Sequence, residues 1–321
     1  MNAYRRFLVV FGSTALGGIL AIGALNLFID PYDRFGFNRL GTFISADREY
    51  KSTEMVRFKP EAVLMGNSRA AIINVGKLGE PGFFNAAFAG ASAEEMEFFI
   101  DRYMHTQKLV VLSLDMFSFG PLKEAVSNPF QPMTIRRTLE YTLSMKSTEY
   151  SVRTLTSALA GLPRDYSPDG TFREGNWAAN ADSADDETVH RKEQELADEW
   201  AAYKFDPARM QAMRDIRRTL EQRGIPLLVY LPPIDARVWQ KVKGTTGYEE
   251  MLRTRTAIEE IFPETVDLTE SEYSAPEGFF RNDPMHFRSA VGERLLRERV
   301  LKKKPMAARK SGGDFSRSTA D

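Results

Sequence analysis

Ser68, Asp283 and His286 are the residues whose types and spacing offer this chain the most chemistry. Ser68 stands in Gly66-Asn67-Ser68-Arg69, just past a short apolar run at 62–65 that reads as a buried strand broken by glycine. A serine on a strand-to-helix turn projects from a rigid edge, with the N–H groups and positive dipole end of a helix start beside it. It becomes a nucleophile only when a base takes its proton and a third group orients that base. The chain has three histidines, His105, His190 and His286, so the base has few candidates. Asp283 and His286 are three residues apart. On a loop entering a helix, that spacing lets the carboxylate accept from one ring nitrogen while the other faces the serine. A plainer reading makes Asn67 and Ser68 turn and N-cap residues, Asp283 a turn acid and His286 a packed loop histidine. The joint presence of both blocks weighs against it.

The elements that must position these groups follow from the pattern. Apolar runs at 62–65, 83–87, 109–114, 225–231 and 265–268 read as strands, and amphipathic stretches at 93–106, 248–261 and 289–301 read as helices. Strands alternating with helices imply an α/β fold on a parallel sheet with right-handed crossovers. Sites in such sheets form beyond the carboxyl ends of the strands, and Ser68, Gly90 and Asp115 each lie just past one. Backbone N–H groups at Ser68 and Gly90 are the candidate donors to an oxyanion. Residues 120–215 break the rhythm. They read as an insertion capping the strand ends, with a helix over 134–160, a loop over 161–180, and one or two helices over 187–223. The acidic run within 180–198 reads as a solvated helix face, with His190 on the surface, because a charge run shows no convergent metal ligands. Residues 31–60 read as a connector laid on the domain surface, and the Lys-, Arg-, Ser- and Gly-rich 302–321 as a disordered tail.

Composition narrows the classes further. The 321 residues carry 43 Lys and Arg against 44 Asp and Glu, a net charge of −1, so no general field draws nucleic acid. The absence of cysteine excludes disulfides, thiolate nucleophiles and Cys-type zinc sites. Arg5 and Arg6 precede an uncharged segment, 7–29, ended by Asp30-Pro31. At the helical rise this segment exceeds the bilayer's hydrocarbon core, about 30 Å thick. It reads as a membrane anchor (1–30) with its N-terminus inside and the rest outside the cytoplasm. The rival is a cleaved signal peptide, since Ala21-Ile22-Gly23-Ala24 offers small residues for a peptidase.

Gly66-Asn67-Ser68-Arg69 and Asp283-Pro284-Met285-His286 resemble the first and last blocks of the SGNH (GDSL-type) hydrolase superfamily, and Asn85 to Gly90 is similar to its second block. The resemblance spans roughly residues 60 to 300 apart from the insertion. It implies a three-layer α/β/α domain at 61–301, a Ser68–His286–Asp283 triad, and a Gly90 N–H at the oxyanion, with no metal or organic cofactor. One departure stands out. The third block usually supplies an asparagine side chain to the oxyanion, and here the place reads Leu112-Ser113-Leu114-Asp115. Asn67, beside the nucleophile, is the amide placed to stand in. The anchor, the Gly-Asn-Ser-Arg turn and Leu114-Asp115-Met116-Phe117 together look most like the SGNH-like proteins of envelope polymer modification, of the alginate-acetylation and teichoic-acid D-alanylation type. That implies a polysaccharide substrate and a membrane-bound O-acyltransferase partner, with Arg69 on a carboxylate or sugar, or else paired with a surface acid.

Two functions from different classes therefore stand. One is an anchored periplasmic O-acyltransferase or esterase acting on an exopolysaccharide through Ser68. The other is a non-catalytic glycan-binding or scaffold subunit that keeps the fold, which the missing asparagine favours. A plain esterase for small esters is a third. Hydrolase and transferase share the first half-reaction, and the residues leave that choice open.

Overall fold

The uncharged N-terminal segment lies in one helix, α1 (Ala3–Ile29), of 27 residues, which holds an 18-residue stretch of mean hydropathy 2.1 and is long and apolar enough to cross a membrane. It runs unbroken through 21–24 and ends at Asp30, whose carboxylate accepts the backbone N–H groups of Arg34 and Phe35, both at 2.8 Å. The computed structural model describes residues 3–44, 46–80, 82–121, 130, 133–303 and 305–306.

Residues 31–60 are more than a surface connector. They contain α2 (Asp47–Phe58), whose inner face buries Tyr50, Lys51, Ser52, Glu54 and Met55. Most of that face is polar, so it carries no apolar period to read. Its centre is Lys51, which is wholly buried and donates to the carbonyls of Asn85, at 2.6 Å, and Gly170. Burial pushes its ammonium down to about 8.

The sheet strands fall where the apolar runs place them. β1 (Ala62–Met65) leads into a one-turn helix, α3 (Ser68–Ala71), and β2 (Phe83–Asn85) precedes α4 (Ala93–Tyr103) and β3 (Leu109–Ser113). Next come α5 (Ile135–Thr142), α6 (Met145–Leu159), α7 (Gly175–Asp182), α8 (Asp186–Ala201) and α9 (Met210–Gln222). Then follow β4 (Leu227–Leu231), α10 (Ala236–Val242), α11 (Thr246–Ile261) and β5 (Val266–Asp267). A two-stranded antiparallel hairpin, β6 (Phe279–Phe280) and β7 (Asp283–Phe287), precedes α12 (Ser289–Leu295).

All neighbours in the order β2-β1-β3-β4-β5 are parallel. Alternate strand residues feed two cores. Val63, Met65, Val110, Leu112 and Val229 pack with α4, α9 and α11, whereas Leu64, Val111, Leu228 and Tyr230 pack with Ala70, Phe287 and Leu295 from the other side. Burial on both faces is what makes parallel strands read as continuous apolar runs. The winding direction reverses between β1 and β3, and in such sheets the crevice for a ligand opens at the carboxyl ends of that strand pair.

Several expected elements shift. The helix expected over 134–160 is two, because Ser144 breaks it and caps α6 by accepting the N–H groups of Lys146 and Ser147. The insertion expected to reach residue 215 ends earlier, since α9 packs against α4 and belongs to the sheet's own helical layer. The Asp283–His286 segment, expected as a loop, is a strand. Within the stretch 302–321, expected to be disordered, Met306 N–H donates to Leu227 O at 3.0 Å; residues 304 and 307–321 lie outside the described residues.

Candidate active site

The turn after β1 is tight for a steric reason. A Cβ on Gly66 would lie 2.8 Å from Ser113 Cβ and 2.9 Å from Ser113 O, so glycine is what lets the end of β1 cross so close to β3. Asn67 follows as the N-cap of α3, its side-chain oxygen accepting Arg69 N–H at 3.1 Å. Ser68 is thus the first residue of that helix, with no acceptor for its own N–H inside it. Asn85 fixes the other end of the turn: its amide donates to the carbonyls of Ala70, Ala71 and Ile73 at 2.8, 3.1 and 2.9 Å. Because α3 has only one turn, its dipole adds little, and a long helix behind the serine is not what supports it.

The hairpin brings the other two groups to the same place. His286 Nε2 lies 2.8 Å from Ser68 Oγ, and Nδ1 lies 2.9 and 3.1 Å from the two Asp283 oxygens. A carboxylate can only accept, so Nδ1 carries the proton and Nε2 is left to accept from the serine hydroxyl. The three expected residues form one connected relay. The hairpin is braced by the insertion: Arg288 forms two bonds with Asp182, at 2.7 and 2.9 Å, and Asn282 N–H donates to Ala181 O.

Ser68, Asp283 and His286 line an open cleft of about 570 Å³, together with Asp47, Arg48, Glu49, Ala89 and Phe172. Gly90 adjoins this wall with φ +62°, a left-handed turn suited to glycine, and among the described residues no backbone acceptor takes its N–H. No group of three or more His, Cys, Asp or Glu able to hold a metal occurs among the described residues. His105 and His190 are exposed and bond to Arg102 O and Asp186 O. The acidic run lies in α7 and α8, with intrahelical pairs such as Arg191–Glu195 at 2.7 Å.

Three expected site residues do other work. Arg69 and Asp115 are not at the substrate surface. They form a buried ion pair, Nη1 to Oδ2 2.6 Å, with side chains 3% and 2% exposed. The guanidinium also donates to Pro233 O and sits 5.5 Å from the Phe287 ring centroid, so it ties the ends of β1, β3 and β4 to the hairpin. Asn67, expected as the stand-in amide, is 5% exposed and serves as the cap of α3, its side-chain oxygen taken by Arg69 N–H. Leu114, in the place of the expected asparagine, is wholly buried in the core, and Ser113 before it is buried against Gly66.

No protein-family model and no curated protein matches this chain. A solved structure described as "a putative platelet activating factor from Streptococcus pneumonia" is similar over 78% of this chain and 91% of that one, at 9% identity and a TM-score of 0.39. So distant a likeness carries neither fold nor function.

The opposite wall of the cleft is the part that sequence reasoning missed. Asp47 accepts Ala89 N–H at 2.9 Å and the Tyr166 hydroxyl at 2.5 Å. Arg48 makes a bidentate pair with Glu95, at 2.7 and 2.9 Å, and donates to Ala89 O. Glu49 lies deep enough that desolvation, the largest influence on it, raises its carboxyl above the ordinary range. The available signal was the pair of acids in a first helical turn, Asp47 and Glu49. Ala46, at the N-cap, offers no capping side chain to mark it.

Proposed function

We propose that this chain is a membrane-anchored, serine-dependent O-acyltransferase or esterase of the SGNH type, acting outside the cytoplasm on a cell-envelope polysaccharide or exopolysaccharide. The observation that carries this reading is the unbroken Asp283–His286–Ser68 relay in an open cleft. As Ser68 Oγ attacks an ester carbonyl, His286 Nε2 takes the hydroxyl proton, and Asp283 stabilises the imidazolium that forms. The N–H groups of Ser68 and Gly90 stabilise the oxyanion. Collapse of the tetrahedral intermediate breaks the ester C–O bond, and the departing alcohol takes the proton from His286, leaving acyl-Ser68. Water or a sugar hydroxyl, deprotonated by His286, then attacks the acyl carbon; the bond to Ser68 Oγ breaks and His286 returns the proton to that oxygen. A membrane-bound O-acyltransferase is the partner class suited to supply the acyl group.

No side-chain amide lines the described cleft. Loss of one oxyanion donor costs on the order of 10²–10³ in rate, so the isolated chain is expected to turn over slowly. The same feature favours the second reading, a glycan-binding subunit without turnover. The deciding experiment gives the purified full chain an activated acetyl ester, with and without an acetylatable uronic-acid oligosaccharide. The proposal expects ester consumption that depends on Ser68, with the acceptor diverting acetyl groups from water to sugar if the chain is a transferase. Saturable oligosaccharide binding with no ester consumption would establish the second reading instead.

A further inference from the structure

The pair α5–α6 does not line the cleft, yet it exposes large apolar side chains at regular intervals. On α5 and its C-cap these are Ile135, Leu139 and Leu143, at intervals of four residues; on α6 they are Met145, Val152 and Leu159, at intervals of seven. Each spacing returns to one helix face, so each helix shows a single apolar stripe. Ile135 is 84%, Met145 78% and Leu159 80% exposed, far beyond the scattered apolar residues ordinary on a surface. Arg136 and Lys146, paired with the exposed Glu140 and Glu149 at 2.7 and 3.3 Å, and Arg153 stand exposed beside the stripes.

The pair is also fixed to α1 at a definite level. Asn26 is the buried residue of that helix: its amide donates to Thr142 O at 2.8 Å and Thr148 Oγ1 at 2.9 Å, and accepts from Ser151 Oγ at 2.9 Å. Next to it, Asp30 accepts the Tyr141 hydroxyl at 2.9 Å, and Tyr32 packs on Tyr141 and Tyr150. Leu143 reaches Gly23, where an added Cβ would lie 3.5 Å from Leu143 Cδ2. From Phe7 to Asn26 a helix spans about 30 Å, the thickness of the hydrocarbon core. A membrane-crossing α1 therefore sets α5 and α6 at the boundary where it emerges. On α1 itself, Leu20 and Phe28 are exposed as well.

We propose that α5 and α6 lie in the interface of the membrane that α1 crosses, with Ile135, Leu139, Met145, Val152 and Leu159 reaching into the acyl region. Arg136, Lys146 and Arg153 then reach towards the headgroups, as amphipathic interfacial helices arrange their basic residues. The occupant of this face is phospholipid. It holds the domain to the bilayer at a second place besides α1, independently of what the cleft does.

The chain lacks cysteine, so single cysteines can be introduced without background. Leu139→Cys, Val152→Cys and Leu159→Cys, each spin-labelled in the full-length protein in phosphatidylcholine–phosphatidylglycerol nanodiscs, report on the stripes. Leu16→Cys in α1 serves as the lipid reference and Glu260→Cys in α11 as the water reference. Relaxation by oxygen, which concentrates in lipid, is compared with relaxation by a water-soluble nickel chelate. The proposal expects all three stripe labels to resemble Leu16→Cys, at least several-fold more sensitive to oxygen relative to nickel than Glu260→Cys. Labels that follow Glu260→Cys would overturn it, and so would labels shielded from both reagents, which would place a second copy of the chain on this face. An unchanged thermal transition in each labelled variant shows that the fold is retained.

Discussion

Ser68→Ala and His286→Ala are each expected to reduce ester turnover by roughly 10⁴–10⁶ in kcat, and Asp283→Asn by about 10⁴. The three side chains form one relay through bonds of 2.8 to 3.1 Å, so removing any one disables the others. The double variant Ser68→Ala/His286→Ala should therefore be no slower than the worse single variant. Steady-state hydrolysis of an activated acetyl ester by the four proteins measures this directly. Multiplicative losses would mean that Ser68 and His286 act separately and that the 2.8 Å contact between them is incidental. None of the three residues is part of the buried core, so far-ultraviolet circular dichroism should be unchanged in every variant.

The largest effect on stability is expected beneath the cleft. Asp115→Ala would leave the Arg69 guanidinium buried with Pro233 O as its one hydrogen-bonding partner among the described residues. Breaking one side of such a pair costs about 3–5 kcal/mol. Replacing both, as Arg69→Met/Asp115→Leu, should recover most of that, because no charge is then left uncompensated. Urea denaturation of wild type, single and double variants tests the claim. A contact with substrate at Arg69, as sequence reasoning also allows, predicts the opposite pattern: little change in stability and a raised KM. The exposure of 3% and 2% at these two side chains favours the structural role.

That pair shows what a sequence leaves hidden. Gly-Asn-Ser-Arg and the aspartate after β3 mark the strand ends correctly, but nothing in residue order tells whether an Arg and an Asp 46 positions apart face solvent or each other. All five sheet strands were legible because burial on both faces leaves uninterrupted apolar runs, as in Leu109–Ser113 and Leu227–Leu231. The Asp283–His286 partnership was legible from its three-residue spacing, although the spacing is realised on a strand whose register with β6 is irregular, the pairs being Phe280 with Asp283 and Phe279 with Phe287. α2 was illegible because its buried face is built largely from the polar Lys51, Ser52 and Glu54, and Lys51 finds its acceptors far along the chain, at Asn85 and Gly170. With it went the wall of the cleft formed by Asp47, Arg48 and Glu49. The break between α5 and α6 hung on one capping serine, Ser144, in an otherwise continuous helical pattern.

Covalent capture of Ser68 tests the central claim most directly. The purified full-length chain is treated with a fluorophosphonate, digested, and mapped by mass spectrometry, with His286→Ala in parallel. The account predicts one adduct, on Ser68, formed in the wild type and strongly slowed in His286→Ala, because only a serine whose proton His286 can take attacks the phosphorus. Folded wild type that carries no adduct on Ser68, or that labels equally well without His286, would contradict it.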